Sequence, residues 1–329
     1  MTLTQTAIIV KQLIFFSIIF LILAISGFLG YRIWTNYNIS QILPPEEKAD
    51  LLFGKLPEPN FPKASVSSSN FSYSIDTVTG NLPTLGEDPG FDKLIKVFFI
   101  PKPYATLLAP DKSKFLAQKL NIVSEPQILS ETQYRFEDLG KTLTVDLDSG
   151  NFKFTNNILP EDSEGLDPDE QLINDFKKML NSLDTPNQNI GEEAKVIALK
   201  NEADHAQISL WPNAIDGRTI YTPDFNKSLV NATVKGSARE LANYLSINLI
   251  TWQIDETTFA TYPTKLPQQA FEDLKLGRGV VVIEPDKSQV SITSVSLGYY
   301  LTDEYSAYLL PIYIFEGPQF VSYVSAIQD

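Results

Sequence analysis

Residues 141–154 read KTLTVDLDSGNFKF. Leu143, Val145 and Leu147 alternate with Thr144 and Asp146, the period of a half-buried strand. Asp148-Ser149-Gly150 supplies tight-turn residues, and Phe152 and Phe154 resume the alternation, so the stretch predicts a β-hairpin. Just upstream, 128–136 also alternates. Before it, Asp111 can cap a helix running to Leu120, with Phe115, Leu116 and Leu120 at helical spacing.

The same grammar recurs downstream. Asp167-Pro168-Asp169-Glu170 combines an N-cap, a proline at the first helical position and an acidic N3. The predicted helix runs to Leu183 with Leu172, Ile173, Phe176, Met179, Leu180 and Leu183 as its buried stripe. A third helix spans 267–276 and closes at Gly277. Strands are expected at 71–75, 94–100, 195–199, 206–211, 219–221, 245–254, 280–284, 290–300, 308–315 and 320–324. Each helix precedes antiparallel-looking strands, so the expected class is α+β, with two antiparallel-sheet domains each covered by a helix.

In front of these lies LIFFSIIFLILAISGFLG, residues 13–30, without a charge. At about 1.5 Å per residue it covers about 27 Å, and the next few residues extend it to a bilayer's hydrocarbon core. The expectation is a transmembrane helix over 13–34, an uncleaved signal anchor presenting Leu13, Phe16, Phe20, Leu23, Phe28 and Trp34 to lipid. Ala24-Ile25-Ser26 before Gly27 leaves a cleavable signal peptide open. The layout expected is a cytoplasmic tail over 1–12, the span, a Pro-rich linker over 35–66, and extracytoplasmic α+β domains over 67–160 and 161–329. The localisation expected is the cell membrane, single-pass, with the N-terminus cytoplasmic and the head in the cell envelope. The linker's Leu51, Leu52, Phe53 and Leu56 are apolar enough to dock on the globular part.

Composition narrows the chemistry. The 329 residues carry 26 basic and 40 acidic side chains, a formal charge of −14, with one His and no Cys. Without Cys there are no disulfides, thiolate metal sites or cysteine nucleophiles, and His205 alone cannot build a multi-histidine centre. The acidic balance argues against nucleic acid as a partner. No cofactor and no metal are expected.

The runs FLAQKLNI, ILSETQYRF and KTLTVDLDSGNFKF together resemble a PepSY-type unit, with Val145, Asp146, Ser149 and Gly150 matching its V-D-x-x-S/T-G pattern and Phe152 where the family often has an aliphatic residue. The resemblance covers about 45 residues. PQQAFEDLKLG, VVVIEP, VSITSVSLGYY and YLLPIYIFEG, residues 267–317, are similar to the C-terminal helix-and-strands unit of membrane-anchored YycH/YycI-like regulators. These resemblances imply exported, non-catalytic modules that bind or restrain other proteins.

Several constellations bear on chemistry. Asp146-x-Asp148-x-Gly150 starts like a calcium loop but lacks the closing bidentate Glu, so a hairpin turn is favoured. The acidic run Glu161, Asp162, Glu164, Asp167, Asp169 and Glu170 reads as solvated helix N-terminal charge. His205 reads as a loop histidine, Ser237 with Lys235 and Arg239 lacks a nucleophile context, and Gly277-Arg278-Gly279 reads as a helix C-cap. Trp211, Tyr299, Tyr300, Tyr308 and Tyr313 are the candidate binding surface, because rigid rings contribute contact area at low entropy cost. Cross-strand aromatic packing is the competing explanation.

The function expected is a membrane-anchored, extracytoplasmic binding component with a regulatory or assembly role, not a catalyst, with a protein partner in the envelope or membrane. The alternatives are an envelope hydrolase using a carboxylate pair such as Asp303 and Glu304, and a self-assembling structural subunit, an oligomer formed through an open sheet edge.

Overall fold

The computed structural model describes residue 17 and residues 19–34, 48–158, 165–184, 190–199 and 204–328. The chain divides into two units, Met1–Lys48 and Ala49–Asp329. In the first, residues 19–34 are helical. Among the described residues no helix is long and apolar enough to cross a membrane. This corrects the expectation of a span over 13–34, and with it the single-pass envelope localisation: the continuous helical run among the described residues, 19–34, falls short of the about 20 apolar residues a span requires. Phe20, Leu23, Phe28 and Trp34 are exposed on this helix. Leu13, Phe16 and the expected tail over 1–12 lie outside the described residues.

The second unit is built on strands. Its eight-stranded sheet runs β3-β4-β5-β6-β11-β10-β8-β7. These are β3 (Gln127–Ile128), β4 (Gln133–Asp138), β5 (Lys141–Asp146), β6 (Phe152–Asn156), β7 (Ile190–Ala198), β8 (His205–Pro212), β10 (Val230–Lys235) and β11 (Tyr244–Leu249). A second sheet contains β2 (Leu94–Phe99), β9 (Ile220–Tyr221), β12 (Asp255–Pro263), β13 (Val280–Ile283), β15 (Ser294–Tyr300), β16 (Tyr308–Gly317) and β17 (Phe320–Ser325). A small parallel pair joins β1 (Ser72–Ile75) to β14 (Gln289–Ile292).

The helices are α1 (Ala109–Lys119), α2 (Asp169–Ser182) and α3 (Pro267–Lys275). Leu116, Ala117 and Leu120 at α1 and Leu172, Phe176 and Leu180 of α2 share one core with Leu143, Phe152, Phe154, Ile208, Ala232 and Ile247. Both therefore cover the same face of the eight-stranded sheet, and the opposite face carries the polar halves of the alternating strands. Ala270, Phe271 and Leu274 of α3 bury against the second sheet.

This corrects the expected α+β class of two helix-covered domains in chain order. Strands make up 38 % of the described residues, in three sheets. The boundary expected at 160 and 161 falls inside the eight-stranded sheet, where Phe154 of β6 faces Ile247 of β11. β2, from the expected first domain, pairs with β12 and β16. Local alternation announces a strand without naming its neighbour, and here the neighbours are distant in sequence.

The stretch expected as a linker packs where it is described. Leu51 donates its N–H to the Thr261 carbonyl at 3.2 Å, and Tyr262 donates its hydroxyl to the Gly54 carbonyl at 2.9 Å. Phe53 and Leu56 pack on Val97 and Leu310, and Phe61 meets Tyr300 edge-on at 5.2 Å. Residues 49–67 thus strap the second sheet on the face opposite α3.

Candidate functional site

The 141–154 hairpin forms as the sequence predicts, and its turn closes one side of a cleft. Asp146 Oδ1 accepts from the Ser149 N–H at 2.8 Å and from its hydroxyl at 2.7 Å. Gly150 takes φ +76°, a conformation glycine adopts without strain. The next carboxylate acts outward: Asp148 Oδ1 accepts the Ala105 N–H at 2.8 Å. This bond ties the segment before α1 to the hairpin turn.

The segment 101–108, PKPYATLL, holds two prolines that keep it out of sheet and helix alike. It delivers Tyr104 (73 % exposed), Leu107 (100 %) and Leu108 (61 %) to the surface. α1 follows, beginning at Ala109, with Asp111 in its first turn where the sequence reading made it the cap. Leu116 and Ala117 bury, whereas Phe115 stays 52 % exposed. The Lys119 ammonium lies 4.7 Å from the Phe115 ring centre and also donates to the Ser182 carbonyl at 2.7 Å and to the Asp184 carboxylate. Lys119 so links α1 to the end of α2.

Together these elements enclose a cleft of about 430 Å³ lined by Tyr104, Phe115, Leu116, Leu147, Asp148 and Leu183, among others. Its volume falls in the range of ligand clefts. Tyr104 and Phe115 line it while staying exposed, and Leu107 and Leu108 are exposed in the same segment as Tyr104; exposed apolar side chains grouped in this way are the kind of surface soluble proteins keep for an interaction. Asp146, Asp148 and Asp184 stand along its walls, with Lys112 the one lysine lining it. Asp184 is matched by Lys119, while the second oxygens of Asp146 and Asp148 accept no hydrogen bond among the described residues. The wall is net negative and favours a cationic group on whatever docks.

The tyrosines expected as a binding surface are placed elsewhere. Tyr299 and Tyr313 are fully buried under α3, donating their hydroxyls to the Lys96 carbonyl at 3.0 Å and the Lys265 carbonyl at 2.6 Å. Tyr300 points to the opposite face and donates to the Asn60 carbonyl at 3.2 Å. Tyr308 packs on Phe53 at 5.0 Å, and Trp211 is buried on β8. These five do not assemble into one exposed surface. Successive residues of a strand point to opposite faces, and here both faces are covered, one by α3 and the other by the 49–67 strap. Burial pushes the hydroxyl pKa values of Tyr299, Tyr300 and Tyr313 well above the ordinary phenol value.

The remaining candidates sit in local structure. His205 Nδ1 lies 2.8 Å from Asp204 Oδ1. Arg239 lies within ion-pair distance of Asp167 and Asp175, and the Ser237 hydroxyl accepts the Arg239 N–H at 3.1 Å. Arg278 and Lys265 share the Asp273 carboxylate, at 2.9 and 2.7 Å. Glu304 accepts from Asn60 Nδ2 at 3.1 Å. Pro168 takes the cap position of α2, so that helix starts one residue later than expected. Glu161, Asp162 and Glu164 lie outside the described residues.

Sequence reasoning missed Tyr104, Leu107 and Leu108 as site residues and grouped Phe115 with Leu116 and Leu120 by helical spacing. A usable signal was present: an apolar group between prolines in a segment with neither period of regular structure.

Fold and site define a strand-rich chain of three sheets with an acidic cleft edged by exposed aromatic rings. No protein-family model matches it, and no curated protein matches it. Among solved structures, an uncharacterized protein from Eubacterium rectale ATCC 33656 is similar at a TM-score of 0.33 and 10 % identity, over 78 % of this chain and 93 % of that one. A likeness at that level carries no argument about fold or function.

Proposed function

We propose that this protein is a non-catalytic binding component, regulatory or assembly-related, and that its partner is a protein segment seated in the cleft between α1 and the β5–β6 turn. The observation that carries this reading is the exposed rings of Tyr104 and Phe115 on a cleft with carboxylate-bearing walls, next to a segment that also exposes Leu107 and Leu108. An apolar anchor with an adjacent Lys or Arg satisfies both halves of the site.

The roles of the carboxylates support binding over catalysis. Asp146 shapes the turn, Asp148 holds the 101–108 segment, and Asp184 fixes Lys119. Each positions structure, and the groups joined in this way give the cleft a preformed shape. A preformed site lowers the ordering cost of association.

The test is selection from a random dodecapeptide display library against the intact protein. The reading expects peptides converging on an apolar residue next to Lys or Arg, with binding lost on Leu107→Asp. Acidic consensus peptides, or equal binding to Leu107→Asp, would overturn it.

A further inference from the structure

A second recess lies on the polar face of the eight-stranded sheet, away from α1 and α2. Register sets Lys153 of β6 opposite Asn248 of β11, and Asn248 opposite Asn231 of β10. Thr155 and Ser246 form the neighbouring cross-strand pair. One wall is the segment 222–228, which includes Pro223, Asp224 and Lys227, and Asp303 adds to the rim. The enclosed volume is about 350 Å³.

That wall is rigidly built. The Thr222 hydroxyl lies 2.9 Å from both the Asp224 and Lys227 carbonyls. Lys195 donates to Asn226 Oδ1 at 2.7 Å, and the Ser228 hydroxyl donates to the Leu210 carbonyl at 2.6 Å. The polar floor is partly sealed. Asn231 is 2 % exposed and donates its amide to the Ser228 carbonyl at 2.7 Å. Asn248 donates to the Leu229 carbonyl at 2.9 Å, and its own Oδ1 is buried without a hydrogen-bond partner among the described residues.

Around this floor the charges balance, Lys153 and Lys227 against Asp224 and Asp303. Among the described residues neither lysine makes an ion pair. In a chain of net charge −14, a charge-balanced recess disfavours ionic ligands of either sign relative to neutral ones. Its polar groups need donors for amide and carboxylate oxygens and acceptors for ammonium and hydroxyl groups. Hydroxyls supply both. Pro223, Leu229 and Ile250 add apolar lining on which the C–H face of a sugar ring can rest. We infer that this recess binds a neutral saccharide, at a site separate from the proposed peptide cleft.

The experiment is calorimetric and ligand-observed NMR titration of the intact protein with glucose, galactose, mannose, xylose, N-acetylglucosamine, maltose and cellobiose. Acetate, glycine and inorganic phosphate serve as charged comparators. At least one saccharide should bind, and the comparators should not. Asn248→Leu should weaken that binding about tenfold, and the exposed-rim variant Lys153→Met about threefold, on the scale of one lost hydrogen bond each. Leu107→Asp should leave it unchanged. No saccharide binding, preference for phosphate or glycine, or affinity indifferent to both Asn248→Leu and Lys153→Met would overturn the inference. If Asn248→Leu fails to fold, Lys153→Met and Ser246→Ala decide the matter.

Discussion

Ala105 donates its backbone N–H to Asp148 Oδ1 at 2.8 Å across 43 residues of chain. Through this bond a proline-bordered segment without regular structure is held against a hairpin turn, and the apolar rim of the cleft inherits its placement. Asp148→Ala should therefore release the segment. The expected loss of stability is about 1 kcal/mol, one hydrogen bond to a partly solvated carboxylate. Hydrogen exchange at Ala105 should accelerate while exchange in β5 and β6 stays near its original rate.

Leu107 is fully exposed, so Leu107→Asp should change unfolding free energy by no more than about 0.5 kcal/mol. Binding of library-selected peptides should nevertheless fall about tenfold or more, the scale of a lost interface anchor. Denaturant unfolding and a binding titration on one preparation separate the two effects.

Two buried tyrosines should respond oppositely to loss of the hydroxyl. Tyr313 donates to the Lys265 carbonyl at 2.6 Å, so Tyr313→Phe should destabilise by about 1–2 kcal/mol. The Tyr323 hydroxyl is buried without a partner among the described residues, so Tyr323→Phe should be neutral or stabilising, because it removes an unsatisfied polar group. The comparison is of denaturant midpoints at constant slope.

Glu316 on β16 is half-buried, and desolvation raises its pKa above the ordinary glutamate value. The folded state then binds its proton more tightly than the unfolded state does. Stability from this group is present below the ordinary glutamate pKa of about 4.3 and is lost as pH rises through the raised value. Glu316→Gln should raise the melting temperature at neutral pH and leave it near wild type at about pH 3, below that reference value. A pH series of thermal melts on both proteins reads the difference.

What was legible in the sequence was local. The hairpin at 141–154, the helix ending at Gly277 and the buried strand at 94–99 are each written in a few adjacent residues, by turn chemistry, capping or a continuous apolar run. What was illegible was partnership. β10 and β12 escaped notice, although β10 lies inside the eight-stranded sheet between β8 and β11. The tyrosines of β15 and β16 looked like a surface because nothing in their own segment announces that α3 and the 49–67 strap cover both faces. The strap's role rests on Phe53, Leu56 and Phe61, whose contacts lie far along the chain. The apolar run 13–30 satisfied the length criterion on paper, whereas the described helix 19–34 does not. For the candidate cleft, the turn Asp146–Gly150 was visible and the exposed side of α1 was not, because Phe115 shares helical spacing with Leu116 and Leu120, which bury.

A cationic, apolar protein segment seated in the cleft between α1 and the β5–β6 turn should shield the backbone on both sides of it. The most direct test is hydrogen exchange by mass spectrometry on the intact protein, with and without a saturating library-selected peptide. The account predicts that protection appears in peptides covering 104–116 and 145–151 and is abolished by Leu107→Asp. Protection confined to other surfaces, or protection that survives Leu107→Asp, would contradict it.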